Sequence, residues 1–298
     1  MFVDRLDRCP VCACSKYSGV IKSVNYFDKE RIESIWVHNP HDFFFPFYKC
    51  AKCKTYYTRE YVEEKYAQKL YSLLNDNLFG VDELTYHQIQ SSYAAMIDSY
   101  IGSDFKKKQI DYFEIGPDHG ILSQIINDKV AAIKNSFFVE SNKSCWSSLL
   151  KLKPAKLKQD YEDINVLNQS VDLVVAVHVL DHILKPQSFL DFVSKRLRTG
   201  GKIFIVVHDG QSLLRRLMGR KWPPFCVHHP QIFNASAMKM FLEENGFKNI
   251  EVRKTLNKFS CGFLISNFLS FLGLKVTWQW GPKVTLPLGN IAILGEKK

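Results

Sequence analysis

Phe113-Glu114-Ile115-Gly116-Pro117-Asp118-His119-Gly120 decides how this chain is read. The apolar run Ile110 to Ile115 leads into it, and a helical pattern follows through Ile126. A strand that turns through glycines into a helix lets the backbone approach a ligand closely and aims the helix N–H groups at it. The spacing is an acid, one residue, a glycine, three residues and a second glycine. It is not the dinucleotide pattern G-x-G-x-x-G. Such a turn also serves as a purely structural device, so its meaning depends on what surrounds it.

Downstream, apolar β-rich runs alternate with amphipathic helical stretches, which predicts a doubly wound α/β sheet with mostly parallel strands. Further strands are expected at Ser136 to Glu140, Ala155 to Lys158 and Val171 to Val177. Helical patterns cover Trp146 to Leu152 and Gln187 to Leu197, and Thr199-Gly200-Gly201 reads as a turn into a fifth strand, Lys202 to Val207. Helices are expected at Gln211 to Met218 and Ala235 to Asn245, the latter closed by Gly246. The last two strands are expected at Asn249 to Leu256 and Asn290 to Leu294. Successive strand tips carry polar, mostly acidic groups: Glu140 after the second, Asp160 after the third, and His178 to His182 after the fourth. Open α/β sheets bind ligands along that edge. A carboxylate there accepts two hydroxyl hydrogen bonds at once, as a ribose diol requires.

These residues together resemble the class I S-adenosylmethionine-dependent methyltransferase family, over roughly Gln109 to Lys298. The resemblance implies a Rossmann-like, seven-stranded, mostly parallel sheet whose last two strands close as a hairpin. It implies Glu114, Gly116, Pro117 and Gly120 in the cofactor loop. It also implies Glu140 on the ribose, Asp160 beside the adenine and His178 lining the sulfonium.

Upstream, five of the eight cysteines fall within the first 53 residues. Cys9-Pro10-Val11-Cys12 and Cys50-Ala51-Lys52-Cys53 form two C-x-x-C knuckles. Each places two thiolates on one tetrahedral ion, so four cysteines make a closed structural zinc shell. Cys14 is a spare. The expected layout is a zinc ribbon over residues 1–58, a helical connector or cap over 59–105, and the methyltransferase domain over 106–298. Helices are expected at Arg59 to Leu74 and Leu84 to Ile101. A ribbon ahead of such a domain resembles bacterial methyltransferases that modify sugars and natural products. Some sugar C-methyltransferases of that kind carry a further C-terminal domain for which this chain has no room, which sets O-methylation ahead of N- or C-methylation.

A hydroxyl acceptor needs a base near neutral pH, and histidine is the usual one. His208 follows the fifth strand, with Asp209 beside it as a possible orienting acid. His178, His228 and His229 are the other catalytic candidates; His182 reads as a helix cap. Trp222 and Phe225 are expected to flank a sugar acceptor. The chain holds 40 Lys+Arg against 30 Asp+Glu. Arg215, Arg216, Arg220 and Lys221 either grip a phosphorylated acceptor or form a solvated basic face. No run of five like charges occurs, which weighs against nucleic acid. RNA methylation, with the ribbon holding RNA, remains the alternative. The most apolar stretch, Phe259 to Leu274, is interrupted by polar residues and too short to span a membrane. The N-terminus shows no secretory apolar run, and cysteine usage fits a reducing compartment, so a cytoplasmic location is expected.

Overall fold

In the computed structural model, which describes residues 3–23, 29–38, 44–72, 83–271, 274, 278, 280–287 and 289–298, the sheet is organised around Val171–Val177. Six of its seven residues are buried, as expected of a parallel strand covered on both faces. Ile110–Ile115 and Leu197–His208 flank it in parallel. Ile133–Val139 and Lys156–Lys158 extend one side in parallel, and Asn290–Lys297 pairs antiparallel with Leu197–His208 on the other. Phe247–Lys254 closes the edge antiparallel to Asn290–Lys297. The result is one seven-stranded, mostly parallel sheet. Helices Pro186–Arg196 and Ala235–Glu244 bury Phe189, Val193, Phe241 and Leu242 on one face. Glu83–Tyr100 and Ile121–Lys129 bury Tyr93, Ile97, Leu122 and Ile126 on the other.

The fifth strand departs from expectation. Thr199-Gly200-Gly201 does not turn the chain before it. Leu197–His208 is continuous, with a register shift between Leu197 and Lys202. A Cβ on Gly201 would lie 2.9 Å from the Arg198 carbonyl oxygen, so the bulge needs a glycine there. The expected helix from Arg59 also shortens. Glu60–Val62 is a strand paired with Val3–Arg5, and the helix is Glu64–Ser72; residues 73 and 74 lie outside the described ones. A strand partner distant in sequence overrides the local helical spacing.

The N-terminal sheet orders Gln231–Ile232, Tyr56–Thr58, Phe47–Cys50 and Tyr17–Ile21 as antiparallel neighbours. Its outermost strand on one side thus comes from the segment after the fifth strand of the large sheet. Between the last two strands of the large sheet lie a hairpin, Asn257–Ser260 with Lys283–Leu286, and the helix Cys261–Phe271. Among the described residues no helix is long and apolar enough to cross a membrane.

Candidate functional site

The glycine loop turns through three left-handed residues: Gly116 at φ +70°, Asp118 at +53° and Gly120 at +79°. A Cβ on Gly116 would sit 2.5 Å from Val179 Cγ2, so the loop lies directly on the chain leaving the fourth strand. Glu140 joins the second strand to this loop. Its Oε2 accepts from the Asp118 N–H at 3.0 Å and its Oε1 from the Asn142 N–H at 2.7 Å. Each oxygen keeps a second lone pair for a hydroxyl. Burial pushes the Glu140 carboxyl up to about 7, so it needs hydrogen-bond donors to remain charged near neutral pH. Glu114 is buried beneath the loop. Its Oε2 accepts from Tyr112 Oη at 2.7 Å and from Ser123 Oγ, tying the first strand to the helix after the loop.

Three residues that sequence spacing did not single out, Tyr86, Cys145 and Gln68, complete this end. Tyr86 donates to Asp118 Oδ2 at 2.9 Å, and Cys145 donates to Asp118 Oδ1 at 3.1 Å. Asp160 accepts from the Glu162 N–H at 2.9 Å and from the Gln68 amide, which brings Glu64–Ser72 to the third strand tip.

At the tips of the fourth and fifth strands the histidines come together. His178 and His208 lie 4.9 Å apart by ring centroid, His208 and His229 4.9 Å, and His229 and His182 4.5 Å. Asp181, fully buried, accepts from both the backbone N–H of His208 at 2.9 Å and its Nδ1 at 2.8 Å. A carboxylate can only accept, so Nδ1 carries the proton and Nε2 presents a lone pair. Burial holds the His208 ring down at about 4 and pushes the Asp181 carboxyl up to about 6. His178, held at φ +53°, has a buried Nδ1 without a partner.

Asp209 does not orient His208. Its Oδ1 accepts from the Gln211 N–H at 2.9 Å, so it closes the following turn instead. The backbone reverses there, and residues adjacent in the chain diverge. His182 is not a helix cap; its Nδ1 meets Tyr71 Oη at 2.7 Å. His228 packs at 4.7 Å from the Trp36 ring and donates from Nε2 to the Trp36 carbonyl at 2.9 Å. His229 donates from Nδ1 to the Pro224 carbonyl at 2.7 Å, with its ring against His208. Trp222 and Phe225 do not flank an open site. They are 1% and 0% exposed, in an aromatic core with Phe44, Phe47 and Tyr56.

The four knuckle sulfurs all lie within 4.8 Å of one another. Cys9 Sγ is 3.6 Å from Cys53 Sγ, and Cys12 Sγ is 3.5 Å from Cys50 Sγ. A tetrahedral zinc with Zn–S bonds of roughly 2.3 Å holds its sulfurs roughly 3.8 Å apart, so the donor set fits that ion. The two knuckles turn alike. Ala13 N–H donates to the Cys9 carbonyl and Lys54 N–H to the Cys50 carbonyl, with Ala13 and Lys54 at φ +54° and +62°. Cys14 is directed to the Lys16 carbonyl, 3.6 Å away, and stays outside the set.

A family model described as a methyltransferase domain matches residues 86–252. None of the curated proteins matches the chain significantly in sequence. Solved structures similar to it include a methyltransferase from Thermotoga maritima described as a possible histamine N-methyltransferase. It shows 16% identity over 72% of this chain and 92% of that one, with TM-score 0.49. Another is magnesium protoporphyrin IX methyltransferase from Synechocystis, with 11% identity over 72% of this chain and 84% of that one, TM-score 0.47.

Proposed function

The chain belongs to the methyltransferase-domain family and is an S-adenosylmethionine-dependent methyltransferase; on that premise we propose that it methylates a hydroxyl of a small polar acceptor, a sugar or sugar nucleotide, with His208 as general base. The observation that carries this reading is the 2.8 Å bond from His208 Nδ1 to buried Asp181, on the strand-tip edge beside the glycine loop. S-adenosylmethionine supplies an electrophilic methyl group on a sulfonium. Glu140 would accept from the ribose hydroxyls, and Asp160 would lie on the adenine side. The loop of Glu114, Gly116, Pro117 and Gly120 would let the backbone approach the donor closely. His178, with its partnerless Nδ1, would line the reacting centre beside His208.

His208 takes the acceptor proton at Nε2 as the oxygen attacks, and Asp181 holds the tautomer that makes this nitrogen available. The low position of the ring's pKa keeps it neutral at pH 7, the form a base requires. His229 packs against His208 and, with its Nδ1 bonded to the chain, holds the ring in place. His228, bonded to Trp36, supports that layer from behind. Cys9, Cys12, Cys50 and Cys53 would hold a zinc ion. Four thiolates leave no open coordination position, so its role would be structural.

The sugar class rests on the likeness of a ribbon joined to a methyltransferase domain to bacterial sugar methyltransferases. It draws nothing from aromatic stacking, since Trp222 and Phe225 are buried. The test is a screen of sugar nucleotides and related metabolites for transfer of a labelled methyl group. With an acceptor in hand, His208→Ala lowers kcat about a hundredfold or more and leaves S-adenosylhomocysteine affinity unchanged. Normal turnover in that variant removes the base assignment. Label appearing in RNA, and in none of the metabolites, replaces the acceptor class.

A further inference from the structure

Lys49 and Arg215 both lie against the Tyr56 ring, at the junction between the N-terminal sheet and the helix after the fifth strand, with Lys54 and Arg216 near enough to repel the Lys49 ammonium. Lys49 Nζ lies 5.6 Å from the centre of the Tyr56 ring, and the Arg215 guanidinium carbon lies 4.7 Å from the same ring. Among the described residues none of these four cations makes an ion pair within 4.0 Å. Lys54 is spent on its own turn, donating to the Ala51 carbonyl at 2.6 Å. The Arg215 Nε is buried with no hydrogen-bond partner. Burial, and then repulsion from Arg215, Lys54 and Arg216, pulls the Lys49 ammonium below the ordinary lysine range. Asp209, whose carboxylate is near enough to Arg216 to feel its charge, is bonded to the Gln211 N–H.

The chain brings these charges together on purpose-built elements. Lys49 and Tyr56 face each other in register across the strands Phe47–Cys50 and Tyr56–Thr58. Arg215 and Arg216 sit on Leu213–Met218, whose first turn is capped by Ser212 Oγ on the Arg215 N–H. Tyr56 abuts Gly210, where a Cβ would lie 3.0 Å from the ring, so the cluster adjoins the loop that starts at His208. Like charges held this close raise the energy of the fold unless an anion joins them. A carboxylate satisfies one guanidinium. A phosphoryl group, with several oxygens and up to two charges, satisfies a guanidinium fork and an ammonium together.

We propose that Lys49, Arg215 and Arg216 form a subsite for a phosphoryl group of the acceptor, so that the substrate is a phosphorylated or nucleoside-diphosphate-linked metabolite. This rests on the small-acceptor reading above and adds to it the contribution of the N-terminal sheet to substrate binding. The N-terminal sheet then supplies one cation and the helix Leu213–Met218 two.

The test is calorimetric titration of the full chain, saturated with S-adenosylhomocysteine, with pyrophosphate. One saturable site is expected, and Lys49→Gln and Arg216→Gln each weaken it about tenfold or more, the loss of one charge-assisted contact. Arg216 is exposed, so its variant carries little risk to folding. Arg215→Lys, which keeps the charge and loses the fork, weakens it as well. Donor affinity is followed in the same samples, so failure of the methyltransferase site reads separately from failure of the anion site. Absence of pyrophosphate binding to the wild type overturns the proposal, as do variants that bind it normally. A mixed-sequence RNA that binds more tightly than pyrophosphate, and loses affinity in the same variants, also overturns it in favour of a nucleic-acid surface.

Discussion

Asp181 accepts two hydrogen bonds from one residue, the backbone N–H and the ring Nδ1 of His208. The first fixes where the fifth strand ends relative to the fourth; the second fixes the ring's tautomer. Both reach the same oxygen, Oδ2, so an alanine there removes both and leaves the ring free to take the tautomer with no base at Nε2. Asp181→Ala is therefore expected to lower kcat about a hundredfold or more with donor affinity unchanged. The pH profile supplies a second readout. A base works unprotonated, and the His208 ring is held down at about 4, so activity persists as pH falls through the ordinary imidazole range and is lost only below it. An acid limb near 6.5 in the wild type contradicts the buried dyad. The sequence showed an acid next to His208, but it was Asp209, and neighbours in a turning chain diverge. The acid that reaches the ring arrives from the turn Leu180–His182 after the adjacent parallel strand. Strand adjacency, not sequence adjacency, was the signal. Trp222 and Phe225 misled for a related reason: aromatic content does not say which side of a core a ring faces.

The strand–loop–helix element from Ile110 to Lys129 was legible because three independent requirements coincide there. Burial on both sides demands an apolar run, the turn demands positive φ, and the strand tip nearby demands an acid. Gly116 meets two constraints at once, a φ of +70° and contact with Val179 Cγ2. Gly116→Ala is expected to cost about 1–2 kcal/mol for the left-handed backbone alone. Displacement of Val179 adds to that. Thermal unfolding should fall by several degrees, at about 2–4 °C per kcal/mol. Calorimetry should show weaker S-adenosylhomocysteine binding, because the loop moves relative to Glu140. An alanine variant with wild-type melting and affinity would remove the close-approach role from this loop. Other elements were hidden. Glu60–Val62 and Gln231–Ile232 are short strands whose partners lie far away in sequence. Nothing within their own few residues sets them apart from helix or loop. The hairpin and helix between Asn257 and Leu286 interrupt the last two sheet strands with mixed apolar and polar residues of no single period.

At the scale of the molecule, the cysteine knuckles are bonded into the strand-tip edge of the large sheet where the proposed base His208 lies. The Cys53 carbonyl accepts from Asn234 Nδ2 at 2.9 Å, and the Thr58 N–H donates to the Pro230 carbonyl at 2.8 Å. Tyr61 Oη donates to the His228 carbonyl at 2.8 Å, and Gln231–Ile232 completes the N-terminal sheet. The same segment holds His229, whose ring lies 4.9 Å from that of His208. The proposed donor half, with Glu140 and the glycine loop, lies on the first and second strands and shares none of these bonds. If one zinc ion holds the four sulfurs, its removal frees the knuckle turns, because metal binding there is coupled to folding. The loss should then pass through Asn234 and Tyr61 into residues 228–234 and lower kcat, although no sulfur touches the reacting atoms. Donor affinity should survive. Metal analysis is expected to find one zinc per chain, and none after Cys50→Ser with Cys53→Ser. Chelation should depress turnover while S-adenosylhomocysteine still binds. Unchanged metal content in the double variant refutes the zinc assignment, and unchanged turnover after complete metal removal refutes the coupling. Loss of turnover and donor affinity together would mean that the sheet itself depends on the ion.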